Sequence, residues 1–253
     1  QMKRVCVVIP ARNEEKTIGK VIKSIPRLPF FSVSYIVVID NNTTDNTASV
    51  ATKAGARVIN TGSRKGLAEA FRVGLKEAVK QNVDVVVTID ADAQYSPEDI
   101  PNLVAPISAE KADIVLGSRF AGGIEDMPIT KKIGNVFFTL ITRTLTGVRI
   151  SDSQTGFRAM TRKVAESLEI TSDYTYTQEM IIDAAFKGFQ IREKPIFFAK
   201  RQSGKSRLIP NLLLYASKAM KAIIKSYIRN TLKPKFKGDS RVSSRLSTGE
   251  VGK

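Results

Sequence analysis

From Arg4 onward one rhythm repeats along the chain: a short unbroken apolar run, a polar cluster, then a stretch with apolar residues at helical spacing. The runs "RVCVVI" (4–9), "YIVVID" (35–40), "ARVIN" (56–60), "VDVVVTID" (83–90) and "ADIVLGSRF" (112–120) are rich in β-branched residues and short enough for strands. Between them, "EEKTIGKVIKSI" (14–25) sets Ile18, Val21, Ile22 and Ile25 on one helical face, and 45–55, 66–80 and 96–107 read as further helices. Asp45 is placed to cap the second helix, while Ser96 and Pro97 start the fourth. Continuously apolar strands alternating with helices predict a mostly parallel sheet covered on both faces, a doubly wound α/β domain.

Near Arg119 the rhythm changes. A Gly-rich loop from Ala121 to Met127 precedes a helix over 131–147, the loop "VRISDSQTGFRAM" (148–160), a helix over 176–189 and the strand "QIREKPIFF" (190–198). A basic loop, "AKRQSGKSRL" (199–208), leads to a last helix from about Pro210 to Arg229, and the polar, charged tail beyond it is expected to lack fixed structure.

The formal charge is +16 over 253 residues, which points to an anionic partner: a phosphorylated ligand, an acidic membrane surface or nucleic acid. Histidine is absent, so no imidazole base and no histidine metal ligand is available. The one cysteine, Cys6, lies in an apolar strand pattern, which excludes an internal disulfide framework and suits a reducing compartment. No apolar run reaches the roughly 18 residues of a membrane-spanning helix, so any membrane contact is expected at the surface.

Three polar clusters fall just after strands: "PARNEE" (10–15), "DNNTTDN" (40–46) and "DADAQ" (90–94). In an open parallel sheet ligands bind beyond the carboxyl ends of the strands, so the coincidence marks a site. Persistence of extended backbone past Thr88 would send Asp90, Asp92 and Gln94 to one side. Two carboxylates and an amide oxygen make a hard, all-oxygen set suited to Mg²⁺ or Mn²⁺, whose coordination nucleotide phosphates would complete. A lone D-x-D is also ordinary turn chemistry, and Asp40 reads equally as a turn or helix-capping residue.

In order along 5–208, the segments "VVIPARNEEKTIG", "VVIDNNTTDNTA", "GLAEAFRVGL", "VVTIDADAQYSPEDIPNL", "DIVLGSRF", "SDSQTGFRAM" and "QEMIIDAAFKGFQIREKPI" with "KRQSGKSRL" are similar to those of family 2 glycosyltransferases of the GT-A fold. Within that family they most resemble the dolichyl-phosphate mannose synthase group of polyprenyl-phosphate glycosyltransferases. The resemblance implies a single catalytic domain over 1–230: a nucleotide-binding half over about 1–118, an acceptor-binding half over about 119–208 and an amphipathic helix over about 209–230, with the tail at 231–253. It implies that Pro10, Arg12, Glu14 and Asp40 bind the nucleotide, and that Asp90, Asp92 and Gln94 hold the metal and diphosphate. Arg12 stands where the family usually has Tyr, and "NNTT" follows Asp40 where "DGS" is commoner. Arg119, Arg201, Lys205 and Lys131 or Lys132 are the implied cations for the acceptor phosphate, with Gly204 and Ser206 in the same loop as Arg201. Asp152 and Gln154 are expected to line the sugar site. Glu179 is either a further site residue or a loop hydrogen-bond acceptor and helix cap.

The activity so implied is metal-dependent, inverting transfer of a hexose from a nucleotide sugar to dolichyl or another polyprenyl phosphate. GDP-mannose is the favoured donor, with UDP-glucose, UDP-N-acetylglucosamine and a saccharide acceptor as alternatives. A phosphate monoester is largely ionised near neutral pH, with a second pKa of about 6, so the nucleophile needs no base and the absence of histidine is intelligible. The implied location is peripheral, on the cytoplasmic face of a membrane, with room for a membrane-spanning partner subunit. The basic segment 200–235 carries no acid, and its helix sets Leu212, Tyr215, Ala219 and Ile223 on an apolar face, with Lys218, Lys221, Lys225 and Arg229 at three- to four-residue spacing. That helix lies either in the membrane interface or on the core with a solvated basic face. A nucleic-acid-binding module is the rival from another class, but it lacks an aromatic-rich basic stretch and leaves the D-x-D unexplained. A dinucleotide oxidoreductase is excluded, since no G-x-G-x-x-G follows the first strand.

Overall fold

A computed structural model describes residues 3–28, 31–62, 66–173, 175–201 and 212–232. Strand β1 (Lys3–Ala11) pairs in parallel with β2 (Phe31–Asp40) on one side and β4 (Val85–Thr88) on the other, and β3 (Arg57–Asn60) extends the sheet from β2. Side chains of β1 alternate between two cores, which is why the run is unbroken in hydrophobicity. Val5, Val7 and Ile9 pack with helix α1 (Ile18–Lys23) and helix α4 (Ile100–Ser108). Cys6 and Val8 face helix α3 (Leu67–Lys80) through Phe71 and Leu75. Helix α2 (Thr47–Lys53) joins β2 to β3, and Asp45 accepts from the Thr47 amide at 3.0 Å at its start.

The second half completes a seven-stranded sheet of order β3-β2-β1-β4-β6-β5-β7. Its added strands are β5 (Ile114–Ile124), β6 (Arg158–Thr161) and β7 (Ile191–Phe198). β6 is antiparallel to both β4 and β5, whereas β5 and β7 are parallel. Helices α5 (Ile129–Thr146), α6 (Arg162–Ser167), α7 (Thr177–Phe186) and α8 (Leu212–Leu232) complete the layers. α5, α7 and α8 share a small third core of Phe138, Ile182, Ala219 and Ile223.

Several boundaries differ from the pattern in the sequence. β5 runs on to Ile124 where a loop is expected from Ala121, because Gly122 lets β7 approach: a Cβ there would lie 2.1 Å from the Ile196 carbonyl oxygen. β6 begins inside the loop expected over 148–160, since "RAMT" is only four residues long and opens on an arginine, and α6 follows it in a stretch to which the pattern assigns no element. α8 continues to Leu232, past the expected end at Arg229, and 233–253 lie outside the described residues, as do the side chains of Leu212 and Tyr215.

α8 rests on the protein through Ala219 and Ile223, with Lys218, Lys221 and Lys225 exposed. Arg229 does not belong to that outer basic face. It turns inward onto α7, 3.0 Å from Glu179 and 3.5 Å from Asp183, two buried carboxylates, and donates to the Glu169 carbonyl at 2.7 Å. Lys187 supplies the second cation, 2.8 Å from Asp183. Removing one partner of a buried pair strands the other. Arg229→Ala is therefore expected to cost about 3 kcal/mol of stability, read as a lower urea midpoint; an unchanged midpoint would mean that α8 is held by its apolar contacts alone.

Candidate active site

Because β1, β2 and β4 are parallel, their carboxyl ends share one edge of the sheet, with Ala11 opposite Asp40. β6 runs the other way, so its amino end reaches that same edge: Arg158 pairs with Thr88 of β4 and Leu116 of β5. The segment before β6, containing Asp152 and Gln154, thereby arrives beside Asp90 and Asp92. Ser118 and Arg119 of β5 join them, and Arg119 donates to Asp152.

After Thr88 the backbone leaves the extended conformation and turns, with Ala93 at φ 58°. The expected alternation of Asp90, Asp92 and Gln94 along a continuing strand is therefore not what presents them. Asp92 instead accepts from the Gln94 amide at 3.1 Å, and the Gln94 side-chain nitrogen donates to the Ala199 carbonyl at 3.1 Å. Its amide oxygen remains the atom through which Gln94 can reach a cation. Asp90 is seated against Gly156, where an added Cβ would lie 2.7 Å from both carboxylate oxygens. The Gly156 backbone is fixed from two sides, by the Thr88 hydroxyl donating to its carbonyl at 2.9 Å and by its own amide donating to the Tyr95 oxygen at 3.1 Å. Burial, reinforced by the charge of Asp92, pushes the Asp90 carboxyl well above the usual carboxylate range, against the pull of Arg119, Arg201 and Arg158.

Arg201 closes the front of the cleft. Its guanidinium donates to Asp92 and, at 3.3 Å, to Glu14. Burial raises the Glu14 carboxyl, with Arg201 opposing the shift and Asp92 adding to it. Glu14 is placed by its own amide, which donates to Thr47 at 2.7 Å. Around Asp92 a positive group of the protein thus sits where acidic oxygens converge.

Behind this lies a buried scaffold. Arg119 meets Asp152 as a fork, Nε to Oδ2 at 2.7 Å and Nη2 to Oδ1 at 2.9 Å, while its backbone amide also donates to Asp152 at 3.2 Å. The Ser151 and Asp152 amides donate to Glu193 at 2.7 and 2.9 Å. Arg158, fully buried, donates to the carbonyls of Ser153, Thr155 and Thr177. The Arg119 charge is therefore matched within the fold by Asp152. Arg158, Glu193, Tyr95 and Gly156 do not stand out in the sequence; only the "TGFR" and "REKP" motifs hold a trace of them.

The remaining expected residues fall as follows. Asp40 is buried, accepting from the Thr43 amide and from Asn60, each at 2.9 Å, which is turn chemistry at the end of β2. Pro10 ends the same edge on β1, and Arg12 beyond it is exposed. Lys131 and Lys132 occupy the first turn of α5, half-buried. Gln154 follows Asp152, its amide donating to that carboxylate at 3.2 Å. Glu179 is 1% exposed, accepting from Thr171 and Ser172 and pairing with Arg229, so that it ties the preceding loop and α8 to α7. Gly204, Lys205 and Ser206 lie outside the described residues.

The glycosyl transferase family 2 model matches residues 6–169. The chain belongs to glycosyl transferase family 2. A dolichyl-phosphate hexose transferase of Haloferax volcanii is 32% identical over 205 residues, covering 81% of this chain and 86% of the relative. A UDP-N-acetylglucosamine–dolichyl-phosphate N-acetylglucosaminyltransferase of Methanococcus voltae is 31% identical over 216 residues, covering 77% and 85%. In fold, the chain is similar to glucosyl-3-phosphoglycerate synthase of Mycobacterium tuberculosis, solved with Mn²⁺, UDP-glucose and phosphoglyceric acid, at TM-score 0.71 and 24% identity over 89% of this chain and 80% of that one. The expected GT-A architecture is thus the one observed.

For a family 2 enzyme, the donor set fits a divalent cation. Asp90 and Asp92 are mutually repelling carboxylates whose charge is offset by the Arg201 guanidinium, and among the described residues no group of three or more His, Cys, Asp or Glu side chains closes a cage. Two carboxylates with open positions suit Mg²⁺ or Mn²⁺, which share coordination with substrate phosphates. Two outcomes follow. Gly156→Ala is expected to push the Asp90 carboxylate aside and weaken Mn²⁺ binding about 10- to 100-fold; calorimetric titration showing the original affinity would remove Asp90 from the site. Arg201→Ala is expected to tighten Mn²⁺ binding in the absence of nucleotide by about tenfold, since it frees Asp92 of a competing cation, and an unchanged affinity would show that guanidinium and metal occupy different places.

Proposed function

We propose that this family 2 glycosyltransferase moves mannose from GDP-mannose to dolichyl or another polyprenyl phosphate at a membrane surface. The observation that carries the reading is the pair Asp90 and Asp92 at the sheet edge, with Arg201 bridging Asp92 and Glu14. Activity toward dolichyl phosphate in the names of two relatives supports the acceptor. The M. voltae relative names UDP-N-acetylglucosamine, so the donor test must include it.

In the reaction an acceptor phosphate oxygen forms a bond to the anomeric carbon as the bond from that carbon to the diphosphate oxygen breaks, inverting the centre. The nucleophile is mostly ionised at neutral pH, with a second pKa of about 6. No carboxylate has to accept a proton, which matches an edge where Asp152 is held by Arg119 and Glu14 by Arg201. A hydroxyl acceptor would instead call for a base within reach. Asp90 and Asp92, with the Gln94 amide oxygen, would hold Mn²⁺ or Mg²⁺, which supplies positive charge for the departing nucleoside diphosphate. When Arg201 is drawn off Asp92, its guanidinium becomes available to the anionic substrates, for which its planar fork is suited. Asp40 closes the nucleotide end of the edge, and Gly156 keeps Asp90 in position.

A panel of GDP-mannose, UDP-glucose and UDP-N-acetylglucosamine, each with Mn²⁺, is expected to raise the melting temperature most for GDP-mannose and to give a labelled lipid-phase product with polyprenyl phosphate. Asp92→Asn is expected to lower kcat by about 10²- to 10³-fold with the fold retained by circular dichroism. Product with soluble glycans alone, or full turnover by Asp92→Asn, would overturn the reading.

A further inference from the structure

Strand β4 ends at Thr88, and its partner β6 shows where a longer strand would run. The two pair Thr88 with Arg158, so continuing that antiparallel ladder would set Asp90 opposite Gly156. The chain turns away instead, and the buried Gly156 backbone takes its hydrogen bonds from side chains. The Thr88 hydroxyl donates to its carbonyl at 2.9 Å, and its amide donates to the Tyr95 hydroxyl at 3.1 Å. Thr88 is the last residue of the strand and Tyr95 the first beyond Gln94. Both ends of the turn bearing Asp90, Asp92 and Gln94 therefore grip one glycine. It is also the glycine whose missing Cβ leaves room for the Asp90 carboxylate, since that Cβ would stand 2.7 Å from both carboxylate oxygens. Thr88 is 1% exposed and Tyr95 3%, so water cannot take over from either hydroxyl.

We infer that Thr88 and Tyr95 are positioning residues for the divalent cation, acting on Asp90 through the backbone of Gly156. The mutual repulsion of Asp90 and Asp92 works against their lying in one turn, so the turn has to be held from outside. Two hydroxyls on one glycine do this from the β6 side. Tyr95 adds a hold on β7: its ring lies 4.9 Å from that of Phe198, and its backbone forms an isolated antiparallel bridge to the same residue. Ala199, next along, donates from its amide to the Gln94 carbonyl at 2.8 Å, and Arg201 follows two residues later. The acidic turn, the glycine that seats Asp90 and the strand that leads to Arg201 are thus joined at Tyr95. Outer groups that fix a ligand in this way commonly govern metal affinity by about 10- to 100-fold. The inference rests on the metal reading of the proposed function and holds for whichever nucleotide the enzyme uses.

The full chain is titrated calorimetrically with Mn²⁺ in the presence of GDP and, separately, of UDP, and the bound ion is followed by electron paramagnetic resonance. Tyr95→Phe and Thr88→Val each remove one hydroxyl and keep the shape of the side chain. Each is expected to weaken Mn²⁺ binding about tenfold and to alter the zero-field splitting of the bound ion, with nucleotide binding in the absence of metal unchanged. Val164→Ala, in the core that holds Phe71, is the control for lost stability alone. It is expected to lower the melting temperature and to leave the affinity and the spectrum as they are. In a Gly156→Ala background, Tyr95→Phe is expected to weaken Mn²⁺ binding by no more than about twofold, because Asp90 is already displaced. Should one hydroxyl variant fail to fold, the other decides, since both act on the same glycine. Unchanged affinity and spectrum in the hydroxyl variants overturns the inference. So does a Tyr95→Phe effect of equal size with and without Gly156→Ala, or the same spectral change in Val164→Ala. A parent chain that binds no Mn²⁺, or binds it equally well after Asp92→Asn, overturns the metal reading and this inference together; normal binding by the parent with unaltered variants overturns the inference alone.

Discussion

The reversed strand β6 is the constraint on which the site depends. A loop that precedes a parallel strand lies at the opposite edge from the carboxyl ends of its neighbours. Here Arg158 of β6 is level with Thr88 and Leu116, so the loop before it, and not the one after it, sits over the acidic turn. The antiparallel register therefore unites Asp90 and Asp92 with Asp152, Gln154 and Gly156. It also explains the density of hydrogen bonds to that loop. Its end would otherwise be free, and it is tied to β5 by Arg119, to β7 by Glu193, to α5 by Thr139 and to the start of α7 by Arg158.

Charge at this edge follows a simple division. Groups of the scaffold are neutralised within the fold: Arg119 by Asp152, and, further off, Arg229 by Glu179 and Asp183. The acidic turn is not neutralised in the same way. Asp90 feels desolvation and the repulsion of Asp92, and among the described residues only the edge of one guanidinium, Arg201, touches the pair through Asp92. A buried ion pair is a poor source of stability when both partners can be replaced, yet a pair that is left under-compensated has a use in attracting a cation. The fold is thus stiff where charge is matched and receptive where it is not.

The first half was legible in the sequence because it obeys one periodicity. Unbroken apolar strands such as 4–9 come from burial on both faces, and the polar clusters at 10–15, 40–46 and 90–94 mark one edge because the strands are parallel. The second half was less legible for a physical reason. β6 is four residues long and begins with an arginine whose guanidinium reaches a carbonyl 19 positions away, so no local pattern announces a strand. The glycines at 122 and 156 read as loop residues, although each is required by a close approach, one to Ile196 and one to Asp90. Asp90, Asp92 and Gln94 read as one group in the sequence, and a turn at Ala93, not continued extension, sets their arrangement. Arg229 and Glu179 could not be told from surface or site residues until α7 and α8 were seen to pack together, since the two partners lie 50 positions apart.

The composition and the architecture converge on one kind of chemistry. A chain without histidine, in which Asp152 is bonded to Arg119 and Asp92 and Glu14 to Arg201, has few groups free to strip a proton from a neutral hydroxyl. The same edge is well equipped to gather anions around a cation, because its acidic turn is withdrawn from water, its arginines are planar donors and the whole molecule carries a strong positive field. An acceptor that arrives already ionised removes the one step for which the site has no group. The scarcity of free bases and the under-compensated acidic turn are therefore two consequences of a single requirement: gathering anionic groups around a cation at one edge of a sheet.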